Sequence, residues 1–204
     1  MGRMLNLKKI AITGGMSCGK TSACRIFKEL GAYVVNSDEL VHRLLSPKTT
    51  LGQVIIKLLG HDVVNGDNFD RGKIAEKVFN NPVLLESLEQ LLHPNVKEEI
   101  EKQYNKIKNK GTIPLFVVEI PLLFETGSEK FYDKTIIIVA NDIICRKRFA
   151  TATSYNDDEY EKRMKRQESS YTKAKKVDFI ITNNASLDAF KNKILNIFNK
   201  LIIL

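Results

Sequence analysis

Gly14-Gly15-Met16-Ser17-Cys18-Gly19-Lys20-Thr21 is the stretch on which the fold turns. It matches G-x-x-x-x-G-K-[ST], with a β-branched apolar run before it at 9–13 and a helical pattern after it. The glycines let the backbone curl so that successive N–H groups point inward at phosphates, and the helix that follows adds its positive end. Lys20 would place a charge on the β- and γ-phosphates, and the Thr21 hydroxyl is the candidate ligand of Mg²⁺. The candidate nucleotide-binding residues are therefore Gly14, Gly15, Met16, Ser17, Cys18, Gly19, Lys20, Thr21 and the adjoining Ser22. Cys18 sits where N–H groups and the helix dipole lower a thiol pKa, which predicts a reactive thiol shielded by nucleotide. The plainer reading is an inert small residue.

Working outward, apolar runs at 9–13, 32–35, 115–120, 135–140 and 179–182 read as strands buried on both faces. Helical stretches lie between them, so the expectation is a five-stranded parallel sheet flanked by helices. The interval between the second and third runs is too long for one crossover helix, so it reads as a helical insertion. Gly60, Gly66 and Gly72 would mark its turns. Leu84, Leu85, Leu88, Leu91 and Leu92 recur at helical spacing after Pro82, and that pattern is expected to stop at His93-Pro94. Leu187, Phe190, Ile194, Phe198 and Leu201 predict a last helix, with Ser186 as its N-cap. The domain reading is one unit over 8–204, with a helical subdomain at 39–110 and a lid at about 143–176.

The 204 residues carry 32 Lys and Arg against 24 Asp and Glu, a net +8 that invites a polyanionic partner. No apolar run reaches the ~18 residues of a membrane span, and the N-terminus lacks a secretory h-region. Cys18, Cys24 and Cys145 are too few and too scattered for a disulfide framework or a zinc site, which suggests a reducing cytoplasm. Neither N-K-x-D nor D-x-x-G occurs, which argues against a GTPase. A small-molecule kinase needs an acceptor site facing the γ-phosphate and a lid that excludes water. Asn36-Ser37-Asp38 follows the second strand, at the end of a parallel sheet where sites form. From position alone Asp38 reads equally as a base for an attacking hydroxyl and as an N-cap for a helix starting at Glu39.

Ile12-Thr13-Gly14-Gly15, Gly19-Lys20-Thr21 and Ser37-Asp38 resemble the opening of the dephospho-coenzyme A kinase family. Asp70-Arg71, His93-Pro94, Pro121-Leu122-Leu123-Phe124-Glu125, Arg163 with Gln167, and Asp178-Phe179-Ile180-Ile181-Thr182-Asn183 continue the resemblance in the family's order. It implies a phosphate-loop kinase fold, ATP as donor, Mg²⁺ and dephospho-coenzyme A as acceptor, phosphorylated on its ribose 3′-hydroxyl. By matching position Asp38 is the base, Lys20 stabilises the transferring group and Arg148 is the lid arginine. Asn183 lies against adenine, and Arg71, His93, Leu122 and Glu125 hold the acceptor.

The chain departs from the family at Asn36, where the first Asp of D-A-D is usual. It departs again at Ser17, which argues against a positive φ in the loop, and at Ala152, where a second lid arginine is usual. With Ala152 in that place, Arg146 or Arg163 would have to assist Arg148. Several residues also have plainer readings. His93 can simply end a helix, 121–125 can be a strand exit packing the core, and His42 and His61 read as surface residues. Tyr155, Tyr160 and Tyr171 read as packing aromatics rather than base-stacking ones.

Residues 143–176 hold ten Lys or Arg and five Asp or Glu. Asn156 with Glu159 reads as a capping box, and Arg163, Arg166, Gln167 and Ser170 would then share one helix face. That stretch is either a lid over triphosphate or a solvated helix laced with ion pairs such as Glu161 with Lys165. The partners expected are small molecules, with no nucleic acid and no membrane, for a monomer or weak homo-oligomer. The competing readings are a kinase for a nucleoside or nucleoside monophosphate, and a basic RNA-binding ATPase.

Overall fold

The computed structural model describes residues 7–153, 156–165 and 167–203; Tyr155 and Arg166 lie outside them. The first half runs β1 (Lys8–Gly14), α1 (Lys20–Glu29), β2 (Tyr33–Asn36), α2 (Ser37–Leu44), α3 (Thr50–Leu59), β3 (Val64–Asn65), β4 (Asn68–Phe69), α4 (Arg71–Phe79) and α5 (Pro82–Lys108). Then follow β5 (Leu115–Glu119), β6 (Lys134–Val139), α6 (Asp142–Ala152), α7 (Asp157–Met164), α8 (Ser170–Ala174), β7 (Phe179–Thr182) and α9 (Leu187–Ile203).

The chain divides into a sheet unit, Met1–Asn36 with Tyr104–Leu204, and a helical unit, Ser37–Gln103. In the sheet unit five strands pair in the order β2-β5-β1-β6-β7, all parallel. Ile10 lies beside Val117, Ile12 beside Ile136 and Ile138 beside Ile181, so β-branched side chains stack through the centre. The core is completed by Phe27 of α1, Phe149 of α6 and Phe198 of α9, and the Phe27 and Phe198 rings lie 6.2 Å apart. Ser186 caps α9 through its hydroxyl, which accepts from the Ala189 N–H at 3.3 Å.

The helical unit has its own core of Ile55, Leu59, Val63, Phe69, Ile74, Val78, Leu88 and Leu92. Gly66, at φ +58°, turns the β3–β4 hairpin between Asn65 and Asn68. Two sequence expectations fail here. Gly72 marks no turn, because it lies in the first turn of α4, which Asp70 caps by accepting from the Lys73 N–H at 3.1 Å. The leucine-rich helix does not stop at His93-Pro94 either; α5 runs through both. Buried Ile100 and Ile107 continue its apolar stripe past the proline. The Asn95 side-chain amide donates to the Leu91 carbonyl at 2.8 Å, adding a donor in the turn that Pro94 leaves short of an N–H. Packing overrides the local preference to break.

Candidate active site

The phosphate loop leaves β1 through Gly14, where a side chain has no room: a Cβ there would run into the Ile138 carbonyl and the Cys18 sulfur. Ser17 has φ +54°, the one non-glycine in the left-handed region among the described residues. The expectation drawn from its being serine is therefore overturned. The loop imposes that conformation because its N–H groups must converge, and the serine bears the strain. Gly19, at φ +105°, closes the loop; a Cβ there would collide with the Asn183 side-chain amide.

Lys20 is buried at the start of α1, and its ammonium donates to the Gly14 and Gly15 carbonyls at 3.0 and 2.8 Å, which spans the loop mouth. The Thr21 hydroxyl donates to Glu119 Oε1 at 3.0 Å, and the Asn36 amide donates to Glu119 Oε2 at 3.0 Å. Glu119, at the end of β5 and 5% exposed, thus receives a donor on each oxygen. Sequence reading missed it, although an acid ending the otherwise apolar run Leu115-Phe116-Val117-Val118 was a usable signal. The arrangement also accounts for Asn36. An amide donates where a second carboxylate would face Glu119 with like charge.

Cys18 is 2% exposed with its sulfur turned into the core, and burial pushes its thiol up despite the opposing charge of Lys20. The expected low pKa and nucleotide-shielded reactivity are corrected on that ground, because desolvation outweighs the helix dipole. Burial likewise raises Cys24 and brings Cys145 to about 11.

Asn183 follows β7 and is buried, with its side-chain amide donating to the Cys18 carbonyl at 2.9 Å. Its own carbonyl accepts from Arg148 Nη2 at 3.3 Å. The Nη1 of Arg148 is buried with no hydrogen-bond partner among the described residues. The two proposed helpers of Arg148 are occupied. Arg146 pairs with Asp142 at 2.6 Å, Asp157 at 3.3 Å and Glu161, and lies over the Tyr160 ring. Arg163 pairs with Glu159 at 2.8 Å.

Asn156 caps α7 as read, accepting from the Glu159 N–H at 3.1 Å, but the helix ends at Met164. Arg163, Gln167 and Ser170 therefore do not share one helix face, since Gln167 lies in the bend before α8. Tyr160 is a packing aromatic against Phe149, whereas Tyr171 is 73% exposed beneath Lys175. After β5, Leu123 is fully buried and Leu122 half-buried. Glu125 Oε1 pairs with Lys173 at 2.8 Å and accepts from the Glu168 N–H at 2.7 Å. Lys173 was also missed, because nothing in sequence sets it apart from its cationic neighbours.

In the helical unit, Asp38 lies exposed in the first turn of α2, after the buried Ser37 that opens the helix. The N-cap reading of Asp38 fails, since α2 starts two residues earlier than expected. Arg71 Nη1 lies 3.4 Å from His42 Nε2, a pairing of two exposed residues that sequence did not suggest. His93 is exposed on α5.

A strand, a phosphate loop and a helix at the centre of a parallel sheet, with further helices following β6 toward the loop, define a phosphate-loop kinase. The model of the dephospho-CoA kinase family matches residues 8–189, and the chain belongs to that family. It is 44% identical over 201 residues to a dephospho-CoA kinase of Protochlamydia amoebophila, covering 98% of this chain and 99% of that one. A crystal structure from Thermus thermophilus matches with TM-score 0.82 and 26% identity, over 96% of this chain and 98% of that one. A dephospho-CoA kinase from Campylobacter jejuni matches with TM-score 0.71 and 25% identity, over 96% and 97%.

Proposed function

We propose that this chain transfers the γ-phosphoryl group of ATP to the ribose 3′-hydroxyl of dephospho-coenzyme A, giving coenzyme A and ADP, the last step of coenzyme A synthesis. The observation that carries the reading is the intact phosphate loop, with Lys20 spanning its mouth, in a chain of this family. The loop N–H groups from Gly14 to Thr21, with Ser22 beyond them, hold the β- and γ-phosphates, and Lys20 follows the charge that develops on the transferring group. Arg148 adds the second cation, and Asn183 with its neighbours receives the adenine. Asp38 orients the acceptor hydroxyl and takes its proton. For acceptor binding the family resemblance points to Arg71, with His42 beside it, and to His93 and Leu122.

The hydroxyl of Thr21 beside the Glu119 carboxylate is a hard-oxygen donor set that fits Mg²⁺. The described residues hold no group of three His, Cys, Asp or Glu that could hold a metal, so phosphate oxygens and water would complete the shell. When bound, the ion would neutralise charge on the β- and γ-phosphates. We place the protein in the cytoplasm as a monomer or weak homo-oligomer without a nucleic-acid partner. No helix among the described residues is long and apolar enough to cross a membrane.

A coupled ADP-release assay over dephospho-coenzyme A, nucleosides, nucleoside monophosphates and RNA tests the reading. Stimulation by dephospho-coenzyme A alone is expected; stimulation by RNA or a nucleoside without it refutes the proposal. Asp38→Asn should lower turnover by about 10² or more while ATP binding persists, the usual scale for a positioned base. Lys20→Ala should impair both.

A further inference from the structure

Lys173 on α8 is 1% exposed, and an ammonium is not buried without partners. It donates to Glu125 Oε1 at 2.8 Å and to the Pro121 carbonyl at 3.0 Å. The same Pro121 carbonyl accepts from the Thr13 hydroxyl at 3.2 Å, and Thr13 immediately precedes the phosphate loop. The same Glu125 Oε1 accepts from the Glu168 N–H at 2.7 Å. Four bonds therefore tie the approach to α8 and α8 itself to the chain leaving β5 and to the root of the loop. The start of α8 lies beside Gly15, with room for no more than an ordinary contact between them. A Cβ built there would lie 3.5 Å from the Ser170 hydroxyl and 3.8 Å from Met164 Cε.

Lys173 cannot itself reach a phosphate, since its ammonium is spent on Glu125 and Pro121 and is closed to solvent. We propose that Lys173 and Glu125 are positioning residues for the phosphoryl donor: their buried ion pair holds the start of α8 against Gly15 and so sets one wall of the triphosphate site. This rests on the ATP-dependent reading above, and it assigns Glu125 to the donor side rather than to acceptor contact.

Removing one partner leaves a buried charge and threatens folding, whereas replacing both with apolar residues is often neutral for stability. The test is therefore the double variant Lys173→Met with Glu125→Leu, with Glu125→Gln as a milder second variant that keeps an oxygen acceptor. ATP binding is measured by titration calorimetry on the full chain without acceptor, beside the melting temperature and the KM for each substrate. The expected result is a near-parental melting temperature with ATP affinity about tenfold weaker, since small misplacements at a site carry large costs. KM for ATP should rise while KM for dephospho-coenzyme A stays close to the parent's. Parental ATP affinity in whichever variant folds overturns the inference and makes the pair purely structural. A parent that binds ATP yet leaves dephospho-coenzyme A unphosphorylated instead refutes the acceptor and leaves this inference intact.

Discussion

Ser17 is half-buried in the phosphate loop at φ +54°, where a serine pays for a conformation that glycine adopts freely. A non-glycine residue in the left-handed region costs about 1–2 kcal/mol. Ser17→Gly removes that strain but gives the unfolded chain more freedom, a loss of roughly 0.5–1 kcal/mol. At the midpoints of the two ranges the difference favours glycine by about 0.75 kcal/mol. For a chain of 204 residues each kcal/mol moves the melting temperature by about 2–4 °C, so Ser17→Gly should raise it by about 1.5–3 °C. Ser17→Ala keeps the Cβ and removes only the hydroxyl, and should melt close to the parent. Ser17→Val adds a β-branch that the left-handed region tolerates badly, and should melt lowest. Thermal unfolding followed by circular dichroism at one fixed protein concentration reads the series. The order Gly, then Ser with Ala, then Val is required by the geometry. A Ser17→Gly protein that melts several degrees below the parent would refute the strain and show that the hydroxyl, not the backbone, governs this position.

Two further outcomes concern Asp178 and the three cysteines. Asp178 is drawn up by burial, but the Lys134 ammonium, the Thr135 N–H and the Thr135 hydroxyl outweigh this and leave its carboxyl titrating below the usual range. Its stabilisation is therefore complete above the unfolded value of about 3.9 and is lost as pH falls through the lower folded value. Asp178→Asn should cost about 1 kcal/mol near neutral pH, allowing for a side chain that is 33% exposed, and urea titrations should show the gap closing in acid; a gap that stays constant down to about pH 3 would contradict the linkage. The three cysteines are all buried with raised thiols, so iodoacetamide should modify the native protein slowly with or without ATP, and quickly only in denaturant. Rapid labelling of native Cys18 would contradict its placement in the core.

What could be read from sequence was what local chemistry dictates. The phosphate loop, the five strands and the caps at Asn156 and Ser186 each depend on a few neighbouring residues, and each formed where expected. The failures share a different cause. Pro94 continues a helix because Ile100 and Ile107 are buried beyond it, and the Cys18 thiol is raised because its sulfur faces a core built by distant strands. Ser17 adopts a glycine's conformation because the whole loop must aim its N–H groups inward. Glu119 and Lys173 matter through their partners Thr21, Asn36 and Glu125, which lie far off in the chain. Tertiary burial and pairing decided all of these.

Ion pairs run through the basic stretch at 143–176, which sequence reads either as a lid or as a solvated, ion-paired helix. Asp157, Glu159, Glu161 and Glu168 are all taken up locally, by Arg146, Arg163 and Lys176, and Lys173 is neutralised by Glu125. The acids of the stretch thus organise its helices while consuming only some of its cations. Arg148 stands apart from that network. Its Nη2 reaches the Asn183 carbonyl, and the Asn183 amide in turn holds the Cys18 carbonyl inside the loop, so Arg148 is fixed to the loop through a single residue. Ion pairing builds a scaffold beside Arg148, whose buried Nη1 has no hydrogen-bond partner among the described residues.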